Sequence, residues 1–200
     1  MSADTELNRE LSLACVRLKT KPRTYGLLGE DDSDMTDADR LLFEMTEFDK
    51  CDPARIQHFM KVYEYAHMIG VGEGLAEKEM HILEAAAILH DIGIIPCEKK
   101  YGYCNGKLQE EEGPHFAKEI LERIGYAADE TERICYLIGH HHTYSDVDGM
   151  DCRILIEADF LVNALEEQMK EEVIRTVGNN IFKTKTGRHL LCLNFGVYVP

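Results

Sequence analysis

The chain has 200 residues, of which 44% are hydrophobic, and this is enough for one domain with a proper core but too little for two large ones. Its formal net charge of −15 at pH 7 argues against broad binding to nucleic acid or to anionic membrane surfaces, because both require a basic face. If the substrate carries phosphate, metal ions or locally clustered lysines must supply the attraction.

The chain shows no sign of a membrane segment or of secretion. Its N-terminal sequence has no long apolar region, and no later segment approaches the roughly 20 uninterrupted apolar residues of a membrane span. Seven scattered cysteines without a CxxC pair indicate reduced thiols rather than a disulfide framework. We therefore expect a cytoplasmic protein with no membrane partner and no nucleic-acid partner.

The first helical pattern follows a region that is predicted to be irregular. Residues 1–36 are expected to form an N-terminal arm or loop, because the stretch from Pro22 to Asp37 is rich in Gly, Asp and Ser. Residues 37–200 are expected to form one all-α domain. Asp52 is a typical N-cap and Pro53 a typical first helical residue, and apolar residues at helical spacing extend this helix to about Gly70.

A second helix is predicted from Glu77 to Asp91, and it is apolar nearly all round, as in a central helix packed on several sides. Gly93 ends it, and the stretch from Pro96 to Gly113 is predicted to be a long loop over the site. The segment from Phe182 to Arg188, after a short last helix, is predicted to be a small hairpin or a loop. Three further helices are predicted between these segments: Pro114–Ile124, Asp129–His142 and Gly149–Met169.

Histidines and carboxylates concentrate on these predicted helices. Imidazole and carboxylate together suit Fe, Mn, Zn and similar ions, whereas soft thiolate sites need clustered cysteines. Helices hold ligands more rigidly than loops do. The candidate ligands are His58, the pair His90-Asp91, the run His140-His141-His142, and Asp159.

The periodicity of two helices places polar groups on apolar faces. His141 shares a face with Ile134 and Leu137, so it should face the core. Asp159 shares an apolar stripe with Leu155, and a buried carboxylate without a partner is energetically costly. A bound metal cation is the simplest compensation for that cost.

The segments LEAAAILHDIG and ILIEADFLVN, together with His58, resemble the HD superfamily of metal-dependent phosphohydrolases. The pattern of that superfamily is an early His, a His-Asp pair that ends a helix, and a late Asp. Here the pattern corresponds to His58, His90-Asp91 and Asp159, within a motif core of residues 52–165. The resemblance implies a single helical bundle of the HD type, in which His58, His90 and Asp159 hold one ion and Asp91 bridges to a second.

Members of the superfamily with two metals also have a His in an HGPxxA-like segment and one or two His in a later helix. In this chain Glu112 takes the first of these positions, before Gly113-Pro114, and His115 lies three residues further on. The resemblance thus implies Glu112, His140 and His141 as candidates for a second site, while His142 is assigned a structural role. We expect one or two divalent ions of Fe, Mn, Zn, Ni or Co, with Mg²⁺ as an alternative.

The activity implied by the resemblance is hydrolysis of a phosphate ester or anhydride of a small molecule, with nucleotides as the first class to test. The metal would lower the pKa of a water molecule and polarise a phosphoryl oxygen. In a related subgroup a Lys follows HDIG, whereas here Ile94 follows, so a lysine further along would have to reach back. The expected catalytic residues are Asp91, His90, Glu112, Lys99 and Lys100, and the expected substrate-binding residues are Arg55, Lys107, Lys183, Lys185 and Arg188.

Two other functions remain open from the sequence. Some helical HD proteins resemble di-iron oxygenases, which need two close irons and a coordination position open to O₂. A non-catalytic module that senses nucleotides would keep the binding site without turnover. The sequence also leaves open a homodimer.

Overall fold

The structure, a computed structural model, describes residues 34–199. These residues form nine helices and no strand, and the predicted all-α fold is confirmed. The predicted arm, residues 1–36, lies outside the described residues except for its last three. The helices are α1 (Asp37–Phe48), α2 (Pro53–Glu73), α3 (Glu77–Leu89), α4 (Ile94–Tyr101), α5 (Gly106–Ile124), α6 (Ala128–Ile138), α7 (Gly149–Glu166), α8 (Glu171–Ile181) and α9 (Lys185–Phe195).

Capping residues determine both ends of helix α2. The Asp52 side chain accepts a hydrogen bond from the Arg55 backbone N–H, and Pro53 occupies the first turn, as the sequence predicts. The helix ends at Gly74, whose φ of 75° lies in the left-handed region that favours glycine. This helix places His58 near its beginning and continues one turn beyond the predicted end.

Helix α3 is the centre of the bundle. All residues from Ile82 to Leu89 are buried except Glu84, and the helix packs against α1, α2, α6 and α7. Helix α2 also packs along α7, so that α2, α3 and α7 contact one another. Because the motif residues come from these three helices, their packing brings the site together.

One segment of this core is long and apolar enough to cross a membrane by length and composition alone. It covers Glu77–Tyr101, and 61% of its most apolar window is buried inside the bundle. A central helix of a bundle has a similar composition, because most of its surface packs against other helices.

The predicted long loop from Pro96 to Gly113 is wrong. Helix α4 covers its first part and α5 begins at Gly106, so only four residues connect the two helices. The glycines and Asn105 do mark a helix end and a helix start: Gly102 ends α4 with φ 77°, and the Asn105 side chain caps α5. The error arose at Pro114, which lies inside α5 rather than at its start. Proline inside a helix costs about 3 kcal/mol, and local propensity therefore favours a boundary there.

Helix α5 packs closely against its neighbours at two glycines, Gly93 before α4 and Gly113 on α5 itself. A methyl group at Gly93 would lie 2.9 Å from the Gln109 carbonyl oxygen and 3.0 Å from the Gly113 nitrogen, and both are backbone atoms. At Gly113 a methyl group would lie 2.9 Å from the Ile138 side chain. The absence of side chains at these two positions therefore allows α5 to pass directly beside the His90-Asp91 turn.

The C-terminal segment is helical, and the hairpin alternative is wrong for the described residues. Helix α9 begins at Lys185, and Thr184 caps it by accepting from the Gly187 N–H. The buried Glu157 carboxylate on α7 accepts from the backbone N–H groups of Lys183 and Thr184 and from the Thr184 hydroxyl. This long-range anchor, which the local sequence does not reveal, fixes the connection between α8 and α9.

We expect Gly93→Ala to lower the free energy of unfolding by about 1–3 kcal/mol, because the new methyl group meets backbone that cannot move aside easily. Gly70→Ala is the matched control. Its methyl group would meet the flexible Met80 thioether at 2.4 Å, and alanine favours the helix by up to about 1 kcal/mol. Chemical denaturation of both variants measures the difference. Equal stabilities of the two variants would contradict the close packing at Gly93.

Candidate metal centre

Three side chains from three helices converge at the centre of the bundle. His58 lies on α2, His90 caps the end of α3, and Asp159 lies on α7, and all three are buried. The His58 Nε2 atom is 3.2 Å from His90 Nε2 and 3.3 Å from Asp159 Oδ1. The His90 Nε2 atom is 3.5 Å from the same carboxylate oxygen. Ligand atoms that share an ion at about 2.1 Å lie roughly 3–3.5 Å from one another, so these spacings fit a common cation.

The hydrogen bonds of the imidazoles show which ring atoms are available. The Nδ1 atom of His90 lies 2.9 Å from the Ala87 carbonyl oxygen, and that of His141 lies 2.7 Å from the Ile138 carbonyl oxygen. Since a carbonyl oxygen only accepts, Nδ1 carries the proton in each ring, and a neutral ring then presents a lone pair at Nε2. The Nε2 atom of His141 is buried without any hydrogen-bond partner among the described residues. A buried nitrogen lone pair that faces a carboxylate fits a metal ligand.

A second group of ligand atoms lies on the other side of Asp91. It consists of Asp91, His141 and His142, whose ligand atoms lie within 4.8 Å of one another. Asp91 Oδ2 is 3.5 Å from His58 Nε2 and 3.4 Å from His90 Nε2, while its Oδ1 is 3.7 Å from His141 Nε2. The two oxygens of one carboxylate thus face two separate groups, as in a carboxylate that bridges two cations.

The electrostatics of the cluster show strong coupling between imidazoles and carboxylates. Burial alone would lower the pKa of His58, but its hydrogen bond with Asp159 and the Asp91 charge raise it to about 9. Burial would raise the pKa of Asp91, but the His90 charge and His141 lower it to about 2. For Asp159 the hydrogen bonds with His58 and His90 likewise outweigh burial, so its pKa is lowered. The carboxylates therefore stay ionised, and a positive charge is held between them.

Glu112 is not brought into either group. Its carboxylate accepts from the Lys100 ammonium at 2.5 Å and from the Tyr101 hydroxyl at 2.8 Å, and these hydrogen bonds lower its pKa. Its predicted role as a metal ligand and catalytic residue is therefore not supported by its position. His115, the neighbouring alternative, is exposed and lies 3.7 Å from Glu119. Glu112 lies on α5 beside α4, and its carboxylate binds Lys100 of α4 instead of joining the cluster.

The run of three histidines divides differently from the prediction. Helix α6 ends at Ile138, so residues 139–142 form a turn rather than the predicted last turn of the helix. His140 stacks on Tyr136 with ring centroids 4.0 Å apart, and its Nδ1 bonds the Tyr136 carbonyl. It belongs to neither group of ligand atoms. His142, which was assigned a structural role, takes that place. Burial and the His141 charge lower the pKa of His142 to about 4, which keeps its ring neutral and able to bind metal.

The predicted substrate-binding cations do not gather at the cluster in their described contacts. Arg55 pairs with Glu98 at 2.8 Å, and Lys107 is exposed and lies 3.9 Å from Glu111. Lys183 and Arg188 bond backbone carbonyls of Asn179 and Phe182. Lys185 lies exposed at the start of α9, and Lys99, which was predicted to be catalytic, lies exposed on α4.

Sequence reasoning missed the side chains that support the ligands. Asn163 donates to Asp159 Oδ1 at 2.9 Å, and Gln109 lies 2.5 Å from His142 Nε2. The Glu166 carboxylate bonds His58 Nδ1 at 2.8 Å. Asn163 and Glu166 follow Asp159 by four and seven residues on α7, so helical spacing could have placed them on the same face.

The buried Asp49 was also missed. It caps the end of α1 and is 5% exposed. Burial raises its pKa to about 6, although the Arg55 charge opposes this, and the nearby Asp91 charge raises it further. Asp49 lies in the turn between α1 and α2, and the sequence around it carries no motif that would indicate its proximity to Asp91.

Comparison with known families agrees with this geometry. The HD domain family matches residues 55–179, which is more than half of the chain. The chain therefore belongs to the HD domain family, as the motif resemblance predicts. HD domains bind divalent metals and are typically metal-dependent phosphohydrolases, and the cluster of His58, His90, Asp91 and Asp159 fits such a metal. Comparisons with curated proteins and with solved structures each gave no significant match.

We expect the apparent affinity for Zn²⁺ or Mn²⁺ to rise with pH, because metal must displace the proton that His58 retains up to about pH 9. In metal-free protein the stabilisation from this proton is complete below pH 6.5 and lost as pH rises through about 9. Calorimetric titrations in two buffers of different ionisation enthalpy measure the protons released. Binding that releases no proton and is independent of pH would contradict the assignment.

We expect Glu112→Ala to leave the number and affinity of bound metal ions unchanged, since Glu112 bonds Lys100 and Tyr101. We expect His142→Ala to weaken the second site by about 10-fold or more, as the loss of a coordinating ligand should cost at least as much as the loss of a supporting residue. Metal analysis after dialysis, combined with titration, compares the two variants. Metal loss in Glu112→Ala with full retention in His142→Ala would reverse this assignment.

Proposed function

We propose that this chain is a metal-dependent phosphohydrolase that cleaves a phosphate ester or anhydride of a small molecule, with nucleotides as the first class to test. The proposal is supported above all by the two-sided position of Asp91, whose oxygens face two separate groups of ligand atoms. Two cations held by these two groups would be suited to binding both the attacking and the leaving oxygen of a phosphoryl transfer.

The residues divide into two ligand sets. His58, His90 and Asp159 would hold a first cation, and Asp91, His141 and His142 would hold a second. Imidazole nitrogen and carboxylate oxygen together favour Fe, Mn, Zn, Ni or Co, with Mg²⁺ less suited to so many nitrogens. When bound, the cations would polarise a phosphoryl oxygen and lower the pKa of a water molecule.

The burial of the ligands indicates the direction from which substrate approaches. The Asp91 side chain is 22% exposed, whereas those of His58, Asp159 and His90 are 10%, 6% and 0% exposed. Substrate would therefore reach the site at the Asp91 side. The buried imidazoles and the remaining carboxylate would hold the cations from behind and exclude water there.

The local charges make the proposed activity depend on metal. Two of the candidate cations are already paired with carboxylates, Arg55 with Glu98 and Lys100 with Glu112. Asp91 and Asp159 stay ionised and would repel a phosphate group. Bound cations would supply the attraction that the chain, with its net charge of −15, does not provide.

The experiment is a screen of purified protein against nucleotides, phosphomonoesters and phosphodiesters, after removal of metal and reconstitution with single divalent ions. Release of phosphate or nucleoside that depends on metal supports the proposal. Oxygen consumption by an iron-loaded, anaerobically prepared sample would favour an oxygenase instead. Binding of nucleotide without turnover under every metal would favour a sensing module.

We expect Asp91→Ala to lose bound metal and turnover together, with activity reduced by about 10³-fold or more, because it removes a ligand shared by both groups. The helical fold should survive, as judged by circular dichroism, since Asp91 lies beyond the end of α3. Asp129→Ala is the matched control, because Asp129 is 67% exposed and pairs with Lys78. Full activity in Asp91→Ala would exclude the proposed mechanism.

A further inference from the structure

Helix α7 contacts His58 at both ring nitrogens. The Asp159 Oδ1 atom lies 3.3 Å from His58 Nε2, and the Glu166 Oε2 atom lies 2.8 Å from His58 Nδ1. Asp159 and Glu166 are seven residues apart, which is two helical turns, so both side chains project from the same face. One helix therefore supplies a carboxylate to each end of a single imidazole.

The contact with Glu166 determines which nitrogen faces the cluster. The Lys61 ammonium pairs with one Glu166 oxygen, and an ionised carboxylate only accepts hydrogen bonds. Nδ1 of His58 must then donate, so Nε2, which faces Asp159 and Asp91, is the ring nitrogen that gives up its proton when a metal binds. Metal-binding histidines commonly have such an outer partner, which orients the ring and increases its basicity.

His58, His90 and His141 each have a hydrogen-bond acceptor at Nδ1, but only for His58 is that acceptor a side chain. His90 and His141 donate to the backbone carbonyls of Ala87 and Ile138, each three residues earlier. His58 lies within α2, where backbone carbonyls are already used by the helix. Its ring orientation consequently depends on a side chain 108 residues away.

Glu166 is itself held in place by the helix that carries His58. The Lys61 ammonium pairs with the second carboxylate oxygen of Glu166, and Lys61 follows His58 by three residues on α2. The Glu166 side chain is 33% exposed, compared with 10% for His58. The pair thus lies at the edge of the bundle, with one oxygen turned inward to the imidazole and the other turned outward to the lysine.

We propose that Glu166 is a positioning residue of the metal centre, which holds the His58 ring so that its Nε2 atom faces Asp159 and Asp91, and that Lys61 orients Glu166. The inference rests on the metal centre of the proposed function but not on the reaction. It applies to any divalent ion bound at His58, and it is tested without a substrate.

The test uses Zn²⁺, which is diamagnetic, with the 200-residue chain and three variants. In the Zn²⁺ form the His58 Nδ1 proton should give a ring N–H signal protected from exchange in nitrogen-edited NMR spectra. We expect Glu166→Ala to lose this signal and to bind Zn²⁺ about 10–100-fold more weakly. Glu166→Gln keeps an acceptor oxygen, so it should recover the signal and most of the affinity. Glu167→Ala, which removes the exposed neighbouring carboxylate, is the control and should match the wild type.

Lys61→Met is a second test of the proposal, and it leaves the carboxylates of Asp159 and Glu166 in place. We expect it to weaken Zn²⁺ binding less than Glu166→Ala does, and to broaden the His58 ring N–H signal because Glu166 loses its outer partner. Circular dichroism of each variant checks that the helical content is retained.

The outcomes separate the two proposals. If the wild type binds Zn²⁺ and Glu166→Ala binds it equally well with the His58 ring N–H signal unchanged, the positioning role is overturned while the metal centre stands. If Glu166→Gln behaves like Glu166→Ala, positioning through an acceptor oxygen is likewise overturned. A wild type that takes up no divalent metal would contradict the metal centre and the inference together.

Discussion

Groups that repel one another are held close together at the centre of an apolar bundle, and this constraint governs the rest of the structure. Two carboxylates and the Nε2 atoms of three histidines approach within 3.2–3.7 Å of neighbours in the cluster. Neutral imidazoles and ionised carboxylates at such distances offer only lone pairs to each other, so a positive charge must lie between them. A proton can supply it, as the raised pKa of His58 shows. A divalent cation supplies more charge and satisfies several ligand atoms at once, which is why the cluster suits metal.

The helical packing keeps these groups in position. Helix α3 is buried from Ile82 to Leu89 apart from Glu84 and has His90 as its C-cap, while α2 and α7 contact it and each other. The glycine contact between Gly93 and Gly113 lets α5 pass beside the same turn, and from there Gln109 reaches His142. Ligands and their supporting side chains thus come from different helices, and the apolar packing between those helices determines the geometry of the site.

The acidic position at Glu112 shows how this chain departs from the two-metal pattern that its motifs resemble. Glu112 lies on α5, immediately before Gly113-Pro114, and its carboxylate binds Lys100 and Tyr101 on α4 rather than joining the ligand cluster. His142 provides a nitrogen on the second side of Asp91 from a turn after α6. The second group of ligands is therefore built from Asp91 and the His141-His142 turn, while Glu112 and Lys100 pair with each other.

The sequence by itself determined the all-α class, the start of α2 and the HD family, because capping residues, helical periodicity and a local motif carry these features. It also identified His58, His90, Asp91 and Asp159, which the structure brings together. Only the tertiary structure decided that His142 rather than His140 joins Asp91, that Glu112 pairs with Lys100, and that Glu166 reaches His58 across 108 residues. Periodicity predicts which face of a regular helix is buried, whereas the direction of a side chain in a turn, or its partner on another helix, depends on packing between elements distant in sequence.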